Sequence, residues 1–155
     1  MKKFFNFIIW LLVIVYISFI FSNSLMSGEA SGELSYKVAK TFLKIFERFE
    51  ITMSLKMFHS LLRKVAHFVE FFGLGVLVSI AITTCPLFKS KILNFTLFLL
   101  AIPTCDELIQ YYVPDRVSTY KDMIIDASGM LLGGFVVYVS ILIIKDIFKI
   151  RQKVA

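Results

Sequence analysis

The distribution of apolar residues constrains this chain more than any other feature of its sequence. Four apolar runs lie at about residues 4–22, 65–84, 92–112 and 123–144, and each is close to the roughly 20 residues with which a helix crosses a bilayer. The chain is 58% hydrophobic with a mean hydropathy of +0.81, which is too apolar for a soluble domain of this length. These runs predict an all-α, polytopic membrane protein with four transmembrane helices in a single domain over residues 1–155.

Basic residues flank these apolar runs, and the chain has a formal net charge of +6. They form no separate polar domain, which argues against nucleic acid as a partner. They fall at the N-terminus, in the second connection and at the C-terminus. A chain with four spans has these three regions on the same side of the membrane. The residues are Lys2, Lys3, Lys89, Lys91, Lys145, Lys149, Arg151 and Lys153. Under the positive-inside rule that side is the cytoplasm, so both termini are predicted to be cytoplasmic.

The long first connection carries a helical pattern at about residues 35–50. Apolar residues recur there at helical spacing, while basic residues and a glutamate occupy the other face. The apolar positions are Val38, Phe42, Ile45, Phe46 and Phe49. This pattern predicts an amphipathic helix lying in the membrane interface. Such a helix could simply cap the bundle or could take part in ligand binding, and the pattern does not decide between the two.

Charged residues at the ends of three spans are predicted to meet on the outer face. The second span carries Arg63, His67 and Glu70 at i, i+4 and i+7, which places them on one side of a helix with Lys64 beside them. Further polar residues lie near the end of the third span and the start of the fourth. The candidate ligand-binding residues are Arg63, Lys64, His67, Glu70, Asp106, Glu107, Gln110, Arg116, Asp122 and Asp126.

Such charges are expensive in a bilayer, since each costs at least about 2.5 kcal/mol in hydrocarbon. They should therefore face one another or a wet cavity. Carboxylates outnumber basic residues in this set, which predicts a protonated carboxyl, a bound cation or a cationic ligand group. A structural alternative is that Arg63 and Arg116 pair with Asp106 and Asp126 to hold the helices in register.

A catalytic role is also open for part of the set. His67, Glu70, Asp106 and Asp126 could act as general acid and base, or a histidine with carboxylates could hold a divalent metal. His-x-x-Glu on one helix is a weak signal by itself, so no resident metal or other cofactor is predicted. Whether the chain is an enzyme is left open.

At these residues the chain resembles the VanZ-like family of bacterial membrane proteins. The family pattern R-K-x-A-H-F-x-E-[YF] matches "RKVAHFVEFFGLG", and its later Asp-Glu, Gln, Pro, Arg and Asp pattern matches "DELIQYYVPDRVSTYKDMIIDASGMLLGG". Phe71 stands where the family often has Tyr, and Asp115 stands where Gly is common before the arginine. The resemblance implies a location in the bacterial cell membrane, and its namesake gives low-level resistance to the lipid-bearing glycopeptide teicoplanin.

Two functions follow as expectations from the residues and the resemblance together. The first is an envelope protein whose outward polar cluster engages the head group of a lipid, a lipid-linked envelope component or a lipoglycopeptide, and so lowers susceptibility to drugs such as teicoplanin. The second is an intramembrane enzyme that acts on a phospholipid or a polyprenyl-linked substrate through His, Glu and Asp acid and base groups. A small transporter is a third possibility.

Overall fold

The computed structural model describes residues 2–47 and 54–154, and the regular secondary structure within them is entirely α-helical. The helices are α1 (Lys2–Ser24), α2 (Gly28–Glu47), α3 (Leu55–Thr84), α4 (Lys91–Tyr112) and α5 (Tyr120–Val154). Four of them, α1, α3, α4 and α5, are long and apolar enough to cross a membrane. The prediction of an all-α protein with four such helices is therefore confirmed.

Two of the membrane helices are longer than the apolar runs that predicted them. α3 begins at Leu55, where the side chain of the preceding Ser54 accepts a hydrogen bond from the Met57 amide. α5 continues to Val154, well past the last apolar residues of its run. Hydropathy identifies only the part of a helix that is apolar enough to lie in the hydrocarbon layer. The backbone hydrogen bonds of the helix continue into the polar sequence on either side.

The amphipathic helix α2 starts earlier than predicted, at Gly28, so part of the serine-rich segment after the first span is helical. Residues 48–50 of the predicted helix lie outside the described residues. α2 packs against α3 with Ala39 and Leu43 buried, and it leaves Phe42 and Ile45 exposed. Exposed apolar side chains are expected of a helix at a membrane surface, and its position there stays a prediction.

Close contact between α3 and α5 organises the bundle. A Cβ atom built on Gly133 would lie 2.2 Å from the carbonyl oxygen of Phe72, and one on Gly129 would lie 2.3 Å from that of Phe68. From the other side, a Cβ on Gly75 would lie 2.1 Å from the Met130 carbonyl oxygen. Small residues at these positions let the two backbones touch, as is common in membrane bundles, where helices lack a hydrophobic force between them.

Most of the remaining core lies between α1 and α3, and partly buried residues of α4 pack against it. Val13 and Ile20 of α1 are buried with Phe71 and Leu74 of α3. The Trp10 indole N–H also donates a 3.0 Å hydrogen bond to the carbonyl of Cys85 at the end of α3. This packing brings the C-terminal end of α1 beside the first half of α3, which is where the polar residues lie.

Candidate functional site

The polar face of α3 lines a cavity of about 290 Å³. Arg63, His67 and Glu70 all contribute to its wall, as their helical spacing predicts. Lys64, the fourth charged residue of the motif, is exposed and does not line this cavity. Residues from the end of α1, from α2 and from the connection between α4 and α5 form the other walls.

Three predicted site residues converge around His67, which lines this cavity. The Nδ1 atom of His67 lies 3.4 Å from Oδ1 of Asp126. Asp106 joins them, so that one donor atom from each of the three residues lies within 4.8 Å of the others. Both carboxylates are completely buried, with 0% of their surface exposed. Helices α3, α4 and α5 each supply one member of this cluster.

Hydrogen bonds from two helices hold Asp106. Ser24 of α1 donates to its Oδ1 at 2.5 Å, and Gln110 of α4 donates to its Oδ2 at 2.7 Å. Gln110 lies one turn after Asp106, so its predicted place beside the cluster agrees with the structure. Asp106 therefore has a fixed orientation, with one donor for each oxygen.

The end of α1 contributes residues that were not among the sequence-based candidates. Asn23 donates a 2.9 Å hydrogen bond to Oε1 of Glu70, and Ser24 binds Asp106. The Tyr16 hydroxyl donates to the backbone carbonyl of Glu70 at 3.1 Å. The signal available in the sequence was the polar "SNS" that closes an otherwise apolar run. It carries no charge, so it is indistinguishable from an ordinary helix end.

Two of the predicted carboxylates, Glu107 at the end of α4 and Asp122 at the start of α5, instead bind residues of the connection between these helices. Oε2 of Glu107 accepts hydrogen bonds from the Ser118 hydroxyl at 2.7 Å and from the Thr119 amide at 2.9 Å. Asp122 accepts a 2.9 Å bond from the Thr119 hydroxyl in the first turn of α5. These contacts give both carboxylates a local structural role.

Arg116 bridges the same connection to α1. Its Nε donates to the Met26 carbonyl at 3.0 Å, and its Nη2 donates to the Asn23 carbonyl at 2.6 Å. Burial, together with the nearby charge of Arg63, lowers the pKa of the Arg116 guanidinium below its usual value, although three carboxylates partly oppose this.

The structural alternative of arginine pairs with Asp106 and Asp126 does not hold. Among the residues that the structure describes, the contacts within 4.0 Å between a basic and an acidic side chain are His67 with Asp126 and Lys37 with Glu33. The buried acidic groups instead receive hydrogen bonds from uncharged donors or, for Asp126, face a histidine. The arginines are left available to the cavity.

The fold and site together define a small helical protein with four potential membrane spans and a buried polar cluster at one end of the bundle. The VanZ/LLP1 family model matches residues 7–144, and the chain belongs to this family. The resemblance inferred from the two charged motifs is thereby confirmed. No curated protein and no solved structure matches the chain.

Proposed function

We propose that this protein binds the anionic head group of an envelope lipid or lipid-linked peptide at the outer membrane surface, and so lowers susceptibility to lipoglycopeptides such as teicoplanin. The observation that carries the proposal is the pair of arginines in the cavity. Arg63 and Arg116 both line it, and neither has a carboxylate within 4.0 Å among the residues described.

The chemistry of these two cations favours an anionic ligand. Arg116 donates to two backbone carbonyls, which orient the guanidinium but do not neutralise its charge. An anion between Arg63 and Arg116 would relieve their mutual repulsion and replace lost hydration. Guanidinium groups present several N–H donors in a plane, a geometry that suits phosphate and carboxylate.

The size and lining of the cavity suit a head group rather than a whole lipid. Its volume of about 290 Å³ is just below that of small-molecule pockets, which span roughly 300–1,000 Å³. Apolar side chains of Met26, Val38 and Leu62 line it beside the arginines. A ligand with a polar head and an apolar tail would therefore find both kinds of contact here, and a lipid-bearing glycopeptide or its lipid-linked target has that character.

Mass spectrometry of lipids that co-purify with the protein tests the binding. Arg63→Ala is expected to reduce bound anionic lipid about tenfold or more, because a charge-assisted hydrogen bond contributes roughly 1.5–3 kcal/mol. Lys64→Ala is the matched control, since Lys64 is the adjacent basic residue and is exposed. Equal lipid content in the wild type and Arg63→Ala would refute the head-group proposal.

Drug susceptibility tests the consequence in cells. Expression of the wild type in a susceptible Gram-positive host is expected to raise the inhibitory concentration of teicoplanin more than that of vancomycin. Arg63→Ala should abolish the increase and Lys64→Ala should retain it at matched membrane levels. If Arg63→Ala still raised the inhibitory concentration of teicoplanin, resistance would not depend on this cavity.

An intramembrane enzyme is the second candidate, and the contact between His67 and Asp126 favours it. A histidine oriented by a buried carboxylate can act as a general base when it also lines a substrate cavity, as His67 does. Incubation of the detergent-purified protein with phospholipids and polyprenyl phosphates should then yield product, with His67→Gln inactive. Binding without turnover in every lipid class would exclude this candidate.

A further inference from the structure

The least expected feature of the site is that the carboxylate of Asp126 is buried without a hydrogen-bond donor. Its side chain is 0% exposed, and neither carboxylate oxygen has a hydrogen-bond partner. Nδ1 of His67, which faces Asp126, also lacks one. Buried polar groups in native proteins are almost always satisfied, and a buried carboxylate without donors is costly. A ligand bound between these side chains would supply the missing interaction.

The arrangement of the donor atoms indicates what is missing. Nδ1 of His67 lies 3.4 Å from Oδ1 of Asp126, and an oxygen of Asp106 completes a set within 4.8 Å. Two ligands at about 2.0–2.2 Å from one tetrahedral metal ion are separated by roughly 3.4 Å. The two unsatisfied side chains thus have the spacing of ligands that share an ion.

We propose that His67, Asp106 and Asp126 together bind one divalent metal ion of the zinc or manganese type. Two carboxylates and a neutral imidazole would balance the charge of such an ion. Imidazole suits zinc and carboxylates also suit manganese, whereas a histidine ligand disfavours magnesium and calcium, which prefer oxygen ligands alone. From the sequence alone such a site is only an open alternative and is not predicted, because His-x-x-Glu on one helix is a weak signal by itself.

The surroundings of Asp106 agree with this assignment. Carboxylates that bind metals are themselves commonly held by hydrogen bonds, which orient the ligand. Ser24 and Gln110 each donate one to Asp106, at 2.5 and 2.7 Å. His67 also lines the cavity that contains the arginines, so the ion would lie beside the proposed head-group site. The ion would be bound by the buried cluster alone, so metal binding does not depend on lipid binding.

Metal analysis and thermal unfolding of the whole chain, purified without a polyhistidine tag, test the proposal. The protein is stripped with EDTA, dialysed and titrated separately with Zn²⁺, Mn²⁺, Mg²⁺ and Ca²⁺. We expect saturable binding of about one Zn²⁺ or Mn²⁺ per chain, with a rise in melting temperature. Asp126→Asn and His67→Gln should weaken binding at least tenfold. Glu107→Gln is the matched control, since it removes a buried carboxylate outside the cluster.

Two outcomes would overturn the assignment. One is a stripped wild type that neither binds nor is stabilised by any of the four ions, a result that needs no variant to fold. The other is zinc binding that Asp126→Asn and His67→Gln leave as tight as in Glu107→Gln, which would place the ion elsewhere. Loss of lipid binding in Arg63→Ala with unchanged metal content would keep the two sites distinct.

Discussion

Replacement of Gly133 by alanine tests the close contact between α3 and α5. The new Cβ would lie 2.2 Å from the Phe72 carbonyl oxygen and 2.9 Å from the Val76 amide nitrogen. Ordinary contacts of a Cβ begin at about 3.4 Å, so the helices would have to separate by roughly 1 Å. Both neighbours are backbone atoms, and neither can rotate away as a side chain would.

The size of the effect follows from two opposing contributions. Alanine is about 1 kcal/mol better than glycine in a helix interior, whereas overpacking costs typically about 1–3 kcal/mol and more when backbone must move. A net loss of roughly 2 kcal/mol is expected for Gly133→Ala. Gly32→Ala is the control, because a Cβ at this position of α2 meets no atom within 4 Å. It should be neutral or stabilising by up to about 1 kcal/mol.

Thermal unfolding in detergent, followed by the fluorescence of Trp10 and by circular dichroism, measures both variants. Trp10 is a suitable probe because its indole binds the Cys85 carbonyl and so reports contact between α1 and α3. A loss of about 2 kcal/mol corresponds to a decrease of roughly 4–8 °C in a chain of this length. A Gly133→Ala variant that melts at or above the wild type would refute the close packing.

Three further predictions concern the connections. Glu107→Ala should speed amide hydrogen exchange at Thr119 about tenfold, because that amide loses a charged acceptor; unchanged exchange would contradict this role. Asp115→Gly should raise the melting temperature slightly, since Asp115 has a left-handed φ of 59° that glycine adopts freely. A decrease would show that the Asp115 side chain makes a stabilising contact that outweighs the backbone strain. In a cysteine-free background, Val117→Cys should react with an impermeant maleimide on intact cells while Ser90→Cys should not; the reverse would invert the predicted orientation.

The fold was largely predictable because its elements depend on local signals. Hydropathy located four helices, and helical periodicity located α2. The predicted ends were less accurate where helices leave the apolar layer, as at Leu55 and Val154. α3 begins at its Ser54 cap, and α5 continues past residue 144 on backbone hydrogen bonds, neither of which changes the hydropathy of the sequence.

The sequence predicted which site residues share one face of the same helix, but not which residues of different helices meet. The i, i+4, i+7 spacing on α3 correctly placed Arg63, His67 and Glu70 on one wall. The different settings of Asp106 and Glu107 were not predictable, because neighbouring helical residues point about 100° apart and the sequence does not say which one faces α1. The contact of Ser24 with Asp106 joins residues 82 positions apart, and neither residue reveals it alone.

The packing of α3 on α5 also sets the geometry of the polar cluster. Gly129 lies one turn after Asp126, and a Cβ on it would lie 2.3 Å from the carbonyl oxygen of Phe68, the residue that follows His67. Gly129→Ala should therefore push Asp126 away from His67 by about 1 Å, beyond the roughly 3.4 Å at which both can bind one tetrahedral ion.

Zinc titration of Gly129→Ala beside Gly133→Ala distinguishes this local effect from a general loss of stability. Both variants strain the same helix pair, but Gly133 lies a further turn from Asp126. We expect zinc affinity to decrease at least tenfold in Gly129→Ala and less in Gly133→Ala, at a temperature where circular dichroism shows both folded. Equal affinities in the two variants would mean that the glycine contact does not set the distance between His67 and Asp126, and that the cluster adjusts independently of helix packing.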